Sequence, residues 1–188
     1  MRAQAEREFA GEDVLQVEPA DFERIYQLYF SFTWRVLGHL GVKPHAIDDA
    51  GQEVWIVVHR RLPSFAGRSA LKTWLFGVAL NVARNQRRAD DRRSKNLCEA
   101  PTAGAPLDPE SIHEGNEAWE RVQRFLGTLD EQRRAIFVCN LLENLSALQT
   151  AEATGVDVTT VYKRVRSLRQ SFKVWLEREL GSDEVVSP

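Results

Sequence analysis

LSALQTAEATGVDVTTVYKRVRSLRQSFKVWL, residues 145–176, carries a short apolar helical pattern, a glycine and a longer basic helical pattern in succession. Ser146 stands where an N-cap belongs, and Gly155 where a helix ends in a left-handed residue. That order is the spacing of a helix-turn-helix. At about 100° per residue, Val158, Val161, Val165, Leu168 and Phe172 share one face of the second helix. Opposite them lie Thr159, Lys163, Arg166 and Gln170, with Thr160 and Ser167 beside that line. Lys and Arg donate to guanine acceptors, Gln to adenine, and Thr near a helix N-terminus to phosphate. The plain alternative is a solvated helix, since exposed helices commonly carry Lys and Arg. The short helix and turn that precede it favour nucleic acid.

Outward from this stretch, the charge of the chain is segregated. The 188 residues carry 25 Lys and Arg against 27 Asp and Glu, a net charge of -2. Yet Arg60 to Lys95 is basic, with only Asp90 and Asp91 opposed, Glu99 to Glu131 is acidic, and Lys163 to Lys173 is basic again. Two basic blocks flanking an acidic joint suit a polyanion partner. No run approaches the roughly 18 apolar residues of a spanning helix, and MRAQAEREFAGED lacks the apolar centre of a signal peptide. A cytoplasmic protein without membrane insertion is expected. Cys98 and Cys139 form no CxxC or zinc spacing and read as free thiols, and the four histidines are scattered. No metal site and no cofactor are expected.

The run EAPTAGAPLDPES, residues 99–111, has no apolar periodicity and reads as part of a flexible linker. The fold class expected is all-α, with two small helical domains. The expected segments are an N-terminal tail 1–20, a first domain 21–95, a linker 96–113, a second domain 114–180 and a C-terminal tail 181–188. That tail, GSDEVVSP, predicts no further regulatory domain. Helices are predicted near 20–40, 46–62 and 70–93, then near 114–127, 130–142, 146–153 and 158–179. Gly41, followed by Pro44, ends the first of them.

In IDDAGQEVWIVVHRRL, residues 47–62, Ile47, Ala50, Val54, Val58 and Leu62 share one face. The other shows Asp49, Gln52, Glu53, Ile56, His59 and Arg60. Phosphates would repel Asp49 and Glu53, so an exposed isoleucine among them suits a protein partner, or else a solvated face with one stray Ile. No second acidic cluster completes a two-metal or acid/base arrangement, so no catalytic residue is expected. In ALKTWLFGVALNVARNQRRADDRR, residues 70–93, the wheel buries Leu71, Trp74, Leu75, Val78 and Val82. It turns Thr73, Phe76, Leu80, Arg84 and Arg87 outward, with Asn81 and Arg88 at the margins. Exposed aromatic and basic groups suit unpaired bases, and the loop PSFAGRS adds Phe65 and Arg68.

These residues together resemble the extracytoplasmic-function sigma factors of bacterial RNA polymerase. DDAGQEVW is similar to that family's polymerase-docking motif, and PSFAGRSALKTWLFGVALNVARNQRR to its Phe-x-Gly loop, Thr-Trp-Leu and Ala-x-Asn. LDEQRRAIFVCNLLENLSALQTAEATGVDVTTVYKRVRSLRQ is similar to its domain 4. The likeness spans about 21–95 and 114–178, in the family's order. It implies that Asp49, Gln52, Glu53 and Trp55 bind polymerase at the β′ clamp helices, with Ile56 and Arg60 of the same outward face beside them and a second contact at the β flap. It implies that Ser64, Phe65, the following loop with Arg68, and Asn81 contact the minus-10 element, and the basic and aromatic side of the third helix adds Lys72, Phe76, Arg84, Arg87 and Arg88 to that set. It implies a minus-35 set of Thr159, Thr160, Lys163 and Arg166, to which the wheel adds Gln170, and an anti-sigma factor as a further partner. Two departures stand out. Ala50 and Gly51 replace larger aliphatics, which weakens that helix by up to about 1 kcal/mol at the glycine. Leu80 stands where a basic residue is frequent.

The function implied is promoter-specific transcription initiation, with promoter DNA and core polymerase as partners and no enzymatic activity. The alternatives are a helix-turn-helix regulator acting without polymerase, and an RNA-binding adaptor using residues 84–95.

Overall fold

The computed structural model describes residues 19–96 and 117–183. All regular structure among them is helical. The chain divides into two compact units, Met1–Glu110 and Ser111–Pro188. The expected linker 96–113 and tails 1–20 and 181–188 lie almost wholly outside the described residues.

The first unit is built from α1 (Pro19–His39), α2 (Ile47–Arg61) and α3 (Leu71–Asn96), each packed against the other two. Gly41 ends α1 at φ 88°. There the Gly41 N–H donates to Gly38 O (3.0 Å) and the Val42 N–H to Leu37 O (3.1 Å), satisfying carbonyls that the helix leaves open. A turn at Pro44–Ala46 then leads into α2. Val36, Leu37, Ala50, Val54, Val58, Leu75 and Ala79 meet in the centre, all buried. Each large side chain buried there contributes about 1.5–3 kcal/mol.

The face of α3 expected to point outward is buried along its first half in the structure. Thr73, Phe76 and Leu80 are 1%, 0% and 2% exposed, so Phe76 is a core residue and not a stacking platform for bases. Trp74, expected in the core, is only half-buried. The reason is topological: a wheel assumes one buried stripe, whereas α3 packs against both α1 and α2 and so buries a much wider arc. Leu80, expected to replace a surface basic group, belongs to that arc.

The second unit contains α4 (Glu117–Thr128), α5 (Glu131–Ile136), α6 (Ala147–Thr154) and α7 (Val158–Asp183). The Asp130 carboxylate caps α5 by accepting from the Arg133 N–H at 2.8 Å. The single helix expected over 130–142 becomes a π-helical segment at Phe137–Leu142. It closes with Asn144 at φ 56°, while Asn140 Nδ2 donates to Leu145 O at 2.8 Å. Phe125, Phe137, Phe172 and Trp175 form one aromatic cluster, with centroids 4.9 Å apart for Phe125 and Phe172. Cys139, two residues beyond Phe137, is buried and forms no disulfide. Cys98 and His113 lie outside the described residues.

Candidate polymerase and promoter interfaces

Helix α2 is amphipathic in the way its sequence requires. Its inward residues pack on α1 and α3, and this leaves Asp49, Gln52, His59 and Arg60 exposed, Glu53 half-buried and Ile56 51% exposed. Trp55, placed by its motif among the docking residues, is 5% exposed. Its ring meets Tyr26 edge-on at 4.8 Å and Phe22 at 6.0 Å. It therefore supports the face more than it presents one. Beside this face is an open hollow of about 450 Å³, lined by Phe22, Tyr26, Trp34, Gln52, Trp55 and Ile56 and edged by His59 and Arg60. The chemistry is apolar floor and polar rim, the anatomy of a protein contact.

The hollow explains a glycine. A Cβ on Gly51 would lie within 2.6 Å of three ring carbons of Trp34. That indole stacks on Phe30 (4.2 Å between centroids) and donates from Nε1 to Asp48 Oδ1 at 3.1 Å. Gly51 thus admits the ring that lines the hollow, a role its helix propensity alone conceals.

The minus-10 candidates are distributed between the 62–70 connection and α3. Ser64 ends a short turn, Leu62–Ser64, with its Oγ donating to Arg61 O at 2.8 Å. Phe65 is half-buried against the Trp74 ring, 5.1 Å between centroids. Gly67, at φ 63°, lets the loop turn where other residues would strain, and Arg68 is exposed. The Lys72 ammonium lies over the Phe32 ring at 5.2 Å. Asn81 and Arg88 are exposed, and Arg84 and Arg87 are half-buried. Trp74, which the wheel assigned to the core, is the aromatic group of α3 that reaches the loop.

The minus-35 candidates sit on α7 behind a well-capped turn. Ser146 forms a capping box with Gln149: the Gln149 N–H donates to Ser146 Oγ (3.2 Å) and the Ser146 N–H to Gln149 Oε1 (2.8 Å). Gly155 ends α6 at φ 71°. Asp157 Oδ1 accepts from the N–H groups of Thr159 (2.9 Å) and Thr160 (3.2 Å), which sequence reading overlooked, although Asp before an apolar-periodic run is an N-cap signal. Val161, Val165 and Leu168 are buried, whereas Thr159, Lys163, Arg166 and Gln170 are exposed and Thr160 is half-buried. Gln170, about 16 Å along the axis from Thr159, borders a hollow formed with Phe125, Val174 and Trp175. Exposed apolar groups that the sequence reading missed include Leu148 on α6 and Tyr162 on α7.

Among the described residues no group of His, Cys, Asp and Glu is arranged to hold a metal ion, and no helix is long and apolar enough to cross a membrane. The comparisons with known proteins agree with the two-part architecture. Residues 22–93 match the family model of sigma-70 region 2, and residues 119–170 that of sigma-70 region 4. An ECF RNA polymerase sigma-E factor of Haemophilus influenzae is 30% identical over 172 residues, covering 85% of this chain and 91% of its own. The one of Escherichia coli K12 is 30% identical over 136 residues, 67% and 71% of the two chains. The fold is similar to that of the sigma factor RpoE of Bartonella quintana, solved with the anti-sigma factor NepR: TM-score 0.72, 20% identity, 84% of this chain and 97% of that one. CnrH, solved with the cytosolic domain of CnrY, gives a TM-score of 0.63 at 20% identity, with 94% and 97% covered. With both regions present in order, and relatives matched over most of their length, the chain belongs to the extracytoplasmic-function sigma factors of RNA polymerase.

Proposed function

We propose that this sigma factor divides its work between three surfaces. The α2 face of Asp49, Gln52, Glu53, Ile56 and Arg60, with Trp55 beneath it, docks on the β′ clamp helices of core polymerase. The second unit meets the β flap. Ser64, Phe65 and Arg68 of the loop, with Lys72, Asn81, Arg84, Arg87 and Arg88 of α3, hold the melted minus-10 strand. Thr159, Thr160, Lys163 and Arg166 of α7 read the minus-35 duplex, with Gln170 at its far end. Capture of unpaired bases on aromatic and polar groups offsets part of the stacking and pairing energy lost on melting. The polymerase supplies the covalent chemistry, and the factor acts in the cytoplasm without being an enzyme. An anti-sigma factor restrains it by covering these surfaces.

The observation that carries this reading is the division of α7, where Val161, Val165 and Leu168 are buried and Thr159, Lys163 and Arg166 stand in solvent beyond a capped turn. Run-off transcription on genomic fragments, with core polymerase alone and with the protein added, tests it. Promoter-specific transcripts are expected only with the protein. Lys163→Ala and Arg166→Ala each weaken minus-35 binding by roughly 1–3 kcal/mol. Glu53→Arg weakens binding to core polymerase while the protein stays folded. Normal holoenzyme assembly by Glu53→Arg would remove the docking role from α2.

A further inference from the structure

Tyr162 is the fifth residue of α7 and is 62% exposed. Its ring and hydroxyl engage no ring or hydrogen-bonding group among the described residues. The other aromatic residues of the helix, Phe172 and Trp175, pack with Phe125. At helical spacing Tyr162 heads a line with Arg166, Arg169 and Lys173, all exposed, while Thr159 lies one turn before it and Lys163 beside it. A large ring is thus held in solvent at the N-terminal end of the helix, the end that reaches base edges in a helix-turn-helix.

The chemistry of a phenol there differs from that of its neighbours. Lys and Arg favour the O6 and N7 acceptors of guanine, and they bind phosphate whatever the sequence. A tyrosine ring has no such fork of donors. It offers apolar surface, and the apolar group on the major-groove edge is the C5-methyl of thymine. Its hydroxyl keeps one hydrogen bond for a phosphate oxygen or for water.

We propose that Tyr162 is a specificity-determining residue of the minus-35 helix, packing its ring on the methyl of one thymine beside the base pairs met by Lys163 and Arg166. This rests on the minus-35 reading of α7. The test uses holoenzyme assembled with core polymerase and a duplex selected from a pool randomised across the minus-35 element. Binding is followed by fluorescence anisotropy while each thymine is replaced in turn by deoxyuridine, which lacks only the methyl.

One replacement is expected to weaken wild-type binding about fourfold, the worth of burying a methyl group. Tyr162→Ala binds the unmodified duplex about fourfold more weakly and loses nothing further at that position, and Tyr162→Phe behaves as wild type there. The exposed position makes Tyr162→Ala compatible with an intact core. If no thymine is sensitive, or if Tyr162→Ala retains the wild-type sensitivity, the proposal is overturned. Lys163→Ala and Arg166→Ala separate the two levels. Weakened binding in both, with Tyr162→Ala unaffected, removes Tyr162 alone, whereas no effect from any of the three removes the reading of α7 and the proposal with it.

Discussion

Gly51 shows how a residue can look weak in sequence and be required in space. Helix propensity predicts that Gly51→Ala gains up to about 1 kcal/mol. The Trp34 ring occupies the place of the new methyl, however, and overpacking costs roughly 1–3 kcal/mol. We expect Gly51→Ala to lower the urea midpoint. A raised midpoint would mean that the indole moves aside without cost. Thr73 makes the opposite case: its hydroxyl is buried without a hydrogen-bond partner on a side chain that is 1% exposed. Thr73→Val keeps the shape and removes the stranded polar atom, so it should stabilise by up to about 1 kcal/mol in the same assay. A loss of stability would indicate that the hydroxyl is satisfied in solution. Neither effect is legible from residue type, because both depend on which atoms arrive from another helix or fail to.

Elements were most legible where local chemistry sets their ends. Ser146, Gly155 and Gly41 act as the sequence implies, since caps and left-handed turns are satisfied within a few residues of the chain. Ser146→Ala should therefore cost about 1 kcal/mol of stability, read by thermal unfolding, and a neutral result would deny the capping box any worth. The π-helical segment at 137–142 gave no such signal. Its extra residue per turn is stabilised by buried Phe137, Val138 and Cys139 and by the Asn140 side chain on Leu145 O, contacts that only packing creates. Asn144 follows it at φ 56°. Asn144→Gly should be tolerated, while Asn144→Val should destabilise by about 1–2 kcal/mol, because a β-branched residue is strained there. Equal midpoints for the two variants would count against that backbone shape.

At the scale of the whole molecule, net charge misleads and its distribution informs. A chain of net charge -2 is expected to bind promoter DNA with a strong salt dependence, because the binding faces and not the total meet the phosphates. Removing Lys163 should reduce the magnitude of the slope of log affinity against log salt by about one. An unchanged slope in holoenzyme binding would place that ammonium away from the DNA. By itself the sequence determined the helical class, the helix-turn-helix and the partition of α7 into buried and solvent faces. These follow from spacing along one helix packed on one side, and from caps closed by near neighbours. Only the tertiary structure decided that Phe76 is core, that Trp74 is the aromatic partner of Phe65, and that Gly51 makes room for Trp34. Those three depend on α3 being buried between two helices and on an indole crossing from α1 to α2, and long-range packing of that kind leaves no periodicity in the chain to read.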